Sequence, residues 1–395
     1  MSDKDRPLRV ILAVDAIFPP LTGIGRYAGE LAAGLQASDA VDSLRYFFHT
    51  RFVARPAPAT PDVGDAAGAA SPPLAARLRA RLGRSAPAVR GYALLQPRLA
   101  ARRLRRFPDH LFHSPNFLLP PLAGPGIATL HDLSTLHHPD YHPAARVALM
   151  ERAIPDAAAR ASALITPSQA VRREVIAHYG VPGERVHAIP MGVDARFAPR
   201  SAGALGPALA PWGLEPGRYL LCVATLEPRK NIGRLLDAHR ALPPALRRRY
   251  PLVLAGGRGW HSDDLYSRIR RLARDGEVRP LGYVAEEALP ALYAGARAFA
   301  FPALYEGFGL PVLEAMASGV PVVTSNCSSM PEVAGDAALL VDPRHGSAIS
   351  HALQRALEDD PWRAGARAAG LARAASLRWS HCIARTLELY RSLSP

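Results

Sequence analysis

Two doubly wound parallel-sheet α/β domains are the fold the sequence predicts, and three observations predict it. Short continuous apolar runs alternate with helical stretches along most of the chain, the pattern of strands covered on both faces by crossover helices. That series opens twice in the same way, at Leu8 to Val14 and again at Tyr219 to Ala224. Between the two series, residues 195–217 carry Pro199, Pro207, Pro211 and Pro216, the composition of a linker. The expected division is therefore 1–194, a linker over 195–217, 218–377, and an amphipathic helix within 378–395.

The bulk composition agrees with this. At 395 residues the chain is long enough for two or three domains with their own cores, and a hydrophobic content of 49% is that of a globular protein. No apolar run reaches the ~18 residues needed to cross a bilayer, and the charged opening Met-Ser-Asp-Lys-Asp-Arg leads straight into a strand. A cytoplasmic protein is expected. Cys222, Cys327 and Cys382 are odd in number and far apart, which points to free thiols and away from a disulfide framework or zinc site.

A net charge of +14 implies an anionic partner. Much of it comes from residues 66–108, which hold ten arginines and no acidic residue. Residues 54–73 are rich in Pro, Ala and Gly and read as a mobile loop, so 54–108 as a whole is expected to be a basic insertion in the first domain. Within 72–107, Leu74, Leu78 and Leu82 stand at helical spacing beside Arg77, Arg81 and Arg84. Such a helix either lies on an anionic membrane or is a solvated arginine-rich face. Nucleic acid fits less well, because no aromatic residues alternate with the arginines as a stacking platform requires.

Taken in order, the first strand is followed by Gly23-Ile24-Gly25-Arg26-Tyr27-Ala28, a glycine-rich loop opening a helix to about Gln36. The letters match G-x-G-x-x-A, but the glycines do not follow the strand directly. The second strand, Leu44 to His49, also ends without the acidic residue an NAD ribose needs, so a dinucleotide site is set aside. Strands are then expected at Asp109 to His113, Gly126 to Leu130 and Ala163 to Thr166, with polar clusters at their carboxyl ends, where doubly wound sheets bind ligands. Those ends carry His113 and Asn116, then His131 and Asp132, then Ser168. His137, His138 and His142 follow in a loop, but nothing fixes a metal geometry there and no metal is expected. Val186 to Ile189 is a further strand, and Met191 to Asp194 ends the domain.

In the second domain the strand Tyr219 to Ala224 leads through Thr225 to Glu227-Pro228-Arg229-Lys230, and Asn231 is placed to cap the next helix. Two adjacent cations before a helix start form a diphosphate site, since fixed charge and helix dipole act on one anion. Leu252 to Gly257, with Gly256 in its turn, and Val278 to Val284, with Gly282 and Tyr283, follow as strands with their turns. The run Arg297 to Pro302 then enters Glu306-Gly307-Phe308-Gly309-Leu310-Pro311-Val312-Leu313-Glu314, with Pro311 at a helix start and Gly319 past its end. Glu306 lies in the turn and Glu314 one turn inside the helix. Two carboxylates and exposed amides suit a ligand rich in hydroxyls.

The form E-G-F-G-L-P-x-L-E-A-M-A resembles the retaining nucleotide-sugar glycosyltransferases of family 4, and T-L-E-P-R-K-N is similar to bacterial mannosyltransferases of O-antigen and exopolysaccharide synthesis. The resemblance implies the GT-B fold, two such domains facing each other across a cleft, with the terminal helix crossing back onto the first domain. It implies that Arg229, Lys230 and the Gly23–Gly25 loop hold the donor phosphates and that Glu306 with the Gly307–Leu310 amides holds the donor sugar. Glu314 would hold the ribose, and the stretch containing Gly282, Tyr283 and Val284 the base. His131 matches the histidine near the donor sugar, and Asp132, His113 and Asn116 fall on the acceptor side. Many members carry an arginine where this chain has Thr225, so which phosphate oxygens Arg229 reaches stays open.

Implied too are front-face transfer with retention, no metal or other cofactor, GDP-mannose as donor with a UDP-hexose as alternative, and a lipid-linked or saccharide acceptor. Such an acceptor would suit an enzyme docked peripherally on the inner face of the membrane through its basic segment. A glycoside hydrolase using the Glu306–Glu314 pair is disfavoured, because the ribose role takes Glu314 away from the reacting carbon. A basic membrane- or nucleic-acid-binding protein without catalysis is the alternative from another class.

Overall fold

In a computed structural model, which describes residues 7–18, 22–56, 98–260 and 262–394, the apolar runs form two sheets. The first has the order β3-β2-β1-β4-β5-β6-β7. Its strands are β1 (Leu8–Ala13), β2 (Val41–Phe48), β3 (Arg51–Val53), β4 (Leu111–Ser114), β5 (Gly126–Thr129), β6 (Ala163–Thr166) and β7 (Val186–Ala188). All neighbours run parallel except β3, which returns antiparallel along β2. β2 begins at Val41, earlier than the expected Leu44, because Val41 and Ser43 pair with β1 at its less buried end, where the polar Ser43 and Asp42, which the register skips, break the apolar signal.

The second sheet, entirely parallel, has the order β10-β9-β8-β11-β12-β13. It comprises β8 (Leu220–Val223), β9 (Leu252–Ala255), β10 (Val278–Gly282), β11 (Ala298–Phe301), β12 (Val322–Ser325) and β13 (Ala338–Val341). β4, β5, β6, β9, β11 and β12 are buried along their whole length, which is why they read as unbroken apolar runs. In each sheet the strand order reverses once, between β1 and β4 and between β8 and β11. Crevices at the carboxyl ends of strands open at such switch points, so the loops after these four strands are where a ligand can sit.

Residues 195–217, expected as a linker, do more than connect. Ser201 caps a helix over Ala202–Leu209, and Leu205, Leu209 and Leu214 are buried. Leu209 lies so close to Gly295 that a Cβ there would meet it at 2.6 Å. The i, i+4 spacing of Leu205 and Leu209 is the physical reason, since it gives a short helix one apolar edge to bury.

The helix Trp379–Leu393 lies against the first-domain helix Gly23–Gln36. Ile383 occupies the space beside Gly34, and Tyr27 and Trp379 have ring centroids 6.3 Å apart. At the crossover Val193 bridges Arg378, and a Cβ on Gly192 would fall 1.9 Å from the Trp379 nitrogen. Only glycine lets the two chain segments approach this closely.

The basic segment lies for the most part outside the described residues. Its described end forms a helix over 98–104 with Ala100 and Leu104 buried, while Arg102, Arg103, Arg105 and Arg106 are exposed. Cys222, Cys327 and Cys382 are free thiols. Among the described residues no helix is long and apolar enough to cross a membrane.

Candidate active site

The second-domain side of the cleft is built from the loops after β8 and β11, adjacent strands at the switch point. After β11 the chain turns through Pro302 to Gly309 and enters the helix Leu310–Ala317, with Pro311 in its first turn. Gly309 precedes the helix at φ 105°, where an L side chain would be strained. Gly307 lets the motif touch the first domain, since a Cβ there would stand 1.8 Å from the His131 carbonyl oxygen. Ser168 Oγ donates to the Gly307 carbonyl at 2.8 Å, and Tyr305 OH accepts from the Leu133 amide at 3.1 Å and donates to Glu174. Ser329 Oγ, donating to the carbonyls of Glu306 and Phe308 at 2.8 and 2.9 Å, fixes the turn from below.

Glu306 is buried, and its carboxylate accepts from Lys230 Nζ and stands 3.2 Å from Arg229 Nη1. Glu227, also buried and not singled out in the sequence, takes Arg229 Nη2 at 2.8 Å and lies 3.9 Å from Lys230. Asp132 reaches across from the first domain to 3.9 Å from Arg229. Two cations thus meet three carboxylates. Burial alone would lower the Arg229 pKa, but Glu306, Asp132 and Glu227 outweigh it and hold the guanidinium above its ordinary value. Burial would likewise raise Asp132, yet Arg229 and the Ser134 amide, donating at 2.9 Å, hold it below the usual carboxylate range.

Asn231 does not cap the following helix with its side chain, as the sequence led us to expect. It sits at φ 60°, and its amide nitrogen donates to the carbonyls of Pro302 and Pro343 at 2.9 and 2.7 Å. It therefore ties the loop after β8 to the ends of the strands beside it. Thr225 is exposed at the start of that loop. Gly256, at φ 147°, packs against the Ala224 carbonyl, where a Cβ would fall at 1.9 Å, and donates its N–H to the Gly282 carbonyl at 2.7 Å. The turns after β8, β9 and β10 are thereby held in one row. Tyr283 projects from it, 59% exposed, and Val284 is buried.

Glu314, 4% exposed, accepts from Arg26 of the first domain. Burial pushes its carboxyl pKa up, against the pull of Arg26. Arg26 also donates to Glu286 at 3.3 Å, and Glu286 takes Arg196 at 3.2 Å. Gly23 and Gly25 do not form the expected loop: Thr22 caps the helix by accepting from the Gly25 amide, and both glycines lie in its first turn. Gly23 nevertheless faces the motif, with Leu310 3.9 Å from where its Cβ would be.

On the first-domain side His131 is buried, its Nε2 2.8 Å from the Pro115 carbonyl. A carbonyl only accepts, so Nε2 carries the hydrogen and Nδ1 is a lone-pair acceptor, buried and without a partner among the described residues. Burial holds the ring below its ordinary pKa, which makes it neutral. Asn116, beside Pro115, accepts from the Phe117 amide at 2.9 Å.

His113 cannot take the acceptor role expected of it. It is fully buried, with Nδ1 2.5 Å from Tyr390 OH and Nε2 2.8 Å from Thr129 Oγ1, so both nitrogens are used in the interior, and burial pushes its pKa down to about 3. Tyr390 arrives from the terminal helix, which no local signal around His113 announces. Among the loop histidines, His137 lies 3.4 Å from Glu174 and His138 stacks on Tyr141. Among the described residues no group of His, Cys, Asp or Glu is placed to hold a metal ion.

Comparison with known proteins places this geometry. Residues 21–197 match the model of Glycosyltransferase Family 4, and residues 211–373 that of Glycosyl transferases group 1. The chain is 40% identical to O-antigen chain mannosyltransferase B of Escherichia coli over 386 residues, 98% of this chain and 100% of that one. Among solved structures, Anabaena Alr3699/HepE in complex with UDP and glucose superposes with a TM-score of 0.69 at 18% identity, covering 98% of this chain and 100% of that one. WaaG, a glycosyltransferase involved in lipopolysaccharide biosynthesis, gives 0.70 at 17% identity, covering 96% and 99%. Those likenesses establish the GT-B fold. With a relative this similar along its entire length, and both halves matched by their own models, the chain belongs to the family 4 glycosyltransferases.

Proposed function

We propose that this glycosyltransferase moves mannose from GDP-mannose to a hydroxyl of a lipid-linked or polysaccharide acceptor in cell-surface glycan synthesis, with retention and without metal. The observation that carries the reading is the Arg229–Lys230 pair poised on Glu306 at the switch-point crevice. The mannosyltransferase B of Escherichia coli, similar over its full length, supports the choice of sugar and of O-antigen as product. In the reaction the bond from the anomeric carbon to the phosphate oxygen breaks as the acceptor oxygen bonds to that carbon on the same face. The leaving phosphate oxygen takes the acceptor proton. Arg229, Lys230 and the adjoining helix start stabilise the departing diphosphate. Glu306 holds the donor hydroxyls in this reading and faces the positive charge that develops on the sugar. Neutral His131 offers Nδ1 to a further hydroxyl.

Thermal denaturation with GDP, UDP, GDP-mannose and UDP-glucose tests the donor. Ligand at 100 times its dissociation constant should add about 2.7 kcal/mol of stability. Stabilisation by the guanosine ligands alone is expected. Stabilisation by the uridine ligands alone would make the donor a UDP-hexose, and no response to any of them would overturn the reading.

Peripheral contact of segment 72–107 with anionic lipid belongs to the same proposal. Removing the whole segment would delete the buried Ala100 and Leu104, so we would instead replace the exposed Arg102, Arg103, Arg105 and Arg106 with glutamine. At about 1 kcal/mol per basic residue near an anionic surface, cosedimentation with phosphatidylglycerol vesicles should weaken by more than roughly tenfold. Unchanged cosedimentation would exclude this end of the segment as the docking face.

A further inference from the structure

Away from the cleft, the second domain carries a cavity of about 360 Å³ whose wall has more positive than negative charge. Ala296 precedes β11 there, and Val320 and Pro321 precede β12, so the cavity lies at the amino ends of strands whose carboxyl ends face the crevice. The turn with Glu306 follows the other end of β11. A four-residue strand, roughly 13 Å, therefore separates the two places.

The remaining wall comes from two more parts of the chain. Pro199 and Arg200 belong to the segment that connects the domains, and Asp360, Arg363 and Arg367 to the helix Asp360–Ser376. Spacings of three and four put these last three side chains on one helix face. Gly319, at φ 74°, brings Arg367 and the connecting segment together: a Cβ there would meet Arg367 Nε and Pro199 at 3.2 Å each.

Among the described residues Asp360 is the one carboxylate on this wall, and it is already shared. It accepts from Arg297 Nη2 at 2.6 Å and from Arg363 Nη1 at 2.8 Å. Arg200 and Arg367 are exposed, so both guanidiniums can reach a ligand. The Arg363 side chain is 19% exposed and, besides Asp360, donates to the Arg297 carbonyl at 3.2 Å, which leaves it further N–H groups. Burial, and after it Arg297, hold its pKa below the ordinary value against Asp360, the mark of a site short of anions. Ser318, which ends the motif helix Leu310–Ala317, lines the same cavity, and its Oγ has no partner among the described residues. A serine hydroxyl changes direction by rotation about one bond. Small-molecule sites begin at roughly 300 Å³, so the volume suits more than a single ion.

We propose that this cavity is a second ligand site, separate from the donor crevice, for a small soluble phosphate monoester. A phosphate monoester carries about −1.5 to −2 charges at neutral pH and three strong acceptor oxygens, which Arg200, Arg363 and Arg367 receive. Ser318 and Asp360 are on the wall for hydroxyls of the group that bears the phosphate. The ligand bridges the connecting segment and the second domain, and it stabilises the folded chain independently of a nucleotide in the crevice.

Thermal denaturation of the full chain at constant ionic strength tests this. The probes are inorganic phosphate, glycerol 3-phosphate, mannose 6-phosphate and glucose 6-phosphate, each up to roughly 10 mM, with mannose as control. At least one phosphate compound should raise the melting temperature, saturating with a dissociation constant of roughly 0.1–1 mM, and mannose should not. The shift should persist with GDP and UDP both in excess. Arg200→Gln combined with Arg367→Gln should melt like the wild type without ligand and weaken phosphate binding about tenfold or more, leaving the nucleotide response intact. Unchanged phosphate binding in that double variant would overturn the proposal, as would no response of the wild type to any probe. A response that GDP and UDP abolish would give the phosphate to the crevice and overturn it equally. Cosedimentation with phosphatidic acid vesicles that the double variant weakens, without a response to the soluble probes, would assign the site to a lipid headgroup instead.

Discussion

Lys230→Ala is expected to abolish stabilisation by nucleoside diphosphates and to lower transfer by roughly 10²–10³-fold, the usual cost of losing one preorganised charge at a leaving group. Lys230 closes the short turn Pro228–Lys230 just before the helix Ile232–Arg240, so in the proposed donor site its ammonium and the free amides of the helix start act on one anion. Lys230 pairs with the carboxylate of Glu306 and lies 3.9 Å from that of Glu227. Removing one partner of a buried ion pair often costs 3–5 kcal/mol, because the other charge is left alone. Here it is not left alone, since Arg229 stays within 2.8 Å of Glu227 and 3.2 Å of Glu306. The variant should therefore fold, and its lost response to GDP in a melting experiment should reflect binding. Arg229 is a poorer probe, being the shared partner of three carboxylates and of the Tyr305 carbonyl. A full GDP response in Lys230→Ala would remove this cation from the donor site.

What the sequence made legible was whatever a few neighbouring residues encode. The unbroken run Ala298–Phe301, Pro311 in the first turn and Gly319 at φ 74° past the end specify the strand, turn and helix of the motif almost by themselves. The Arg-Lys turn after β8 was readable for the same reason. What was not legible is which partners the fold brings to those residues. Arg26 and Glu314 are 288 positions apart, and the contact exists only because two domains close on each other. His113 has the look of a cleft residue, a polar group at the carboxyl end of a strand, until Tyr390 and Thr129 take both its nitrogens. Nothing local to Gly307 announces that the backbone of His131 packs against it. Glu227 was hidden beside two cations that drew the reading to themselves. In the stretch 195–217 four prolines outweighed the leucine pair whose spacing marks the buried helix edge.

Glu306→Gln should separate the chemistry from the binding: kcat falling by roughly 10³-fold while GDP binds as tightly as to the wild type, or more tightly. The two cations of the proposed donor site already face three carboxylates, with which an incoming diphosphate would compete. Glutamine keeps the size of the side chain and removes one of those anions, which eases the competition in the ground state. An interaction accelerates a reaction only if it strengthens on the way to the transition state. The charge that grows there is positive, on the sugar ring, and Glu306 offers a carboxylate from a turn whose backbone Ser328 and Ser329 hold in place. Losing it should raise the barrier by about 4 kcal/mol, the equivalent of that thousandfold change. The split between the two effects is what discriminates. If Glu306→Gln instead weakened GDP binding and left kcat near its wild-type value, the carboxylate would serve only to position Lys230 and Arg229, and the stabiliser of the cationic sugar would have to be sought elsewhere in the cleft.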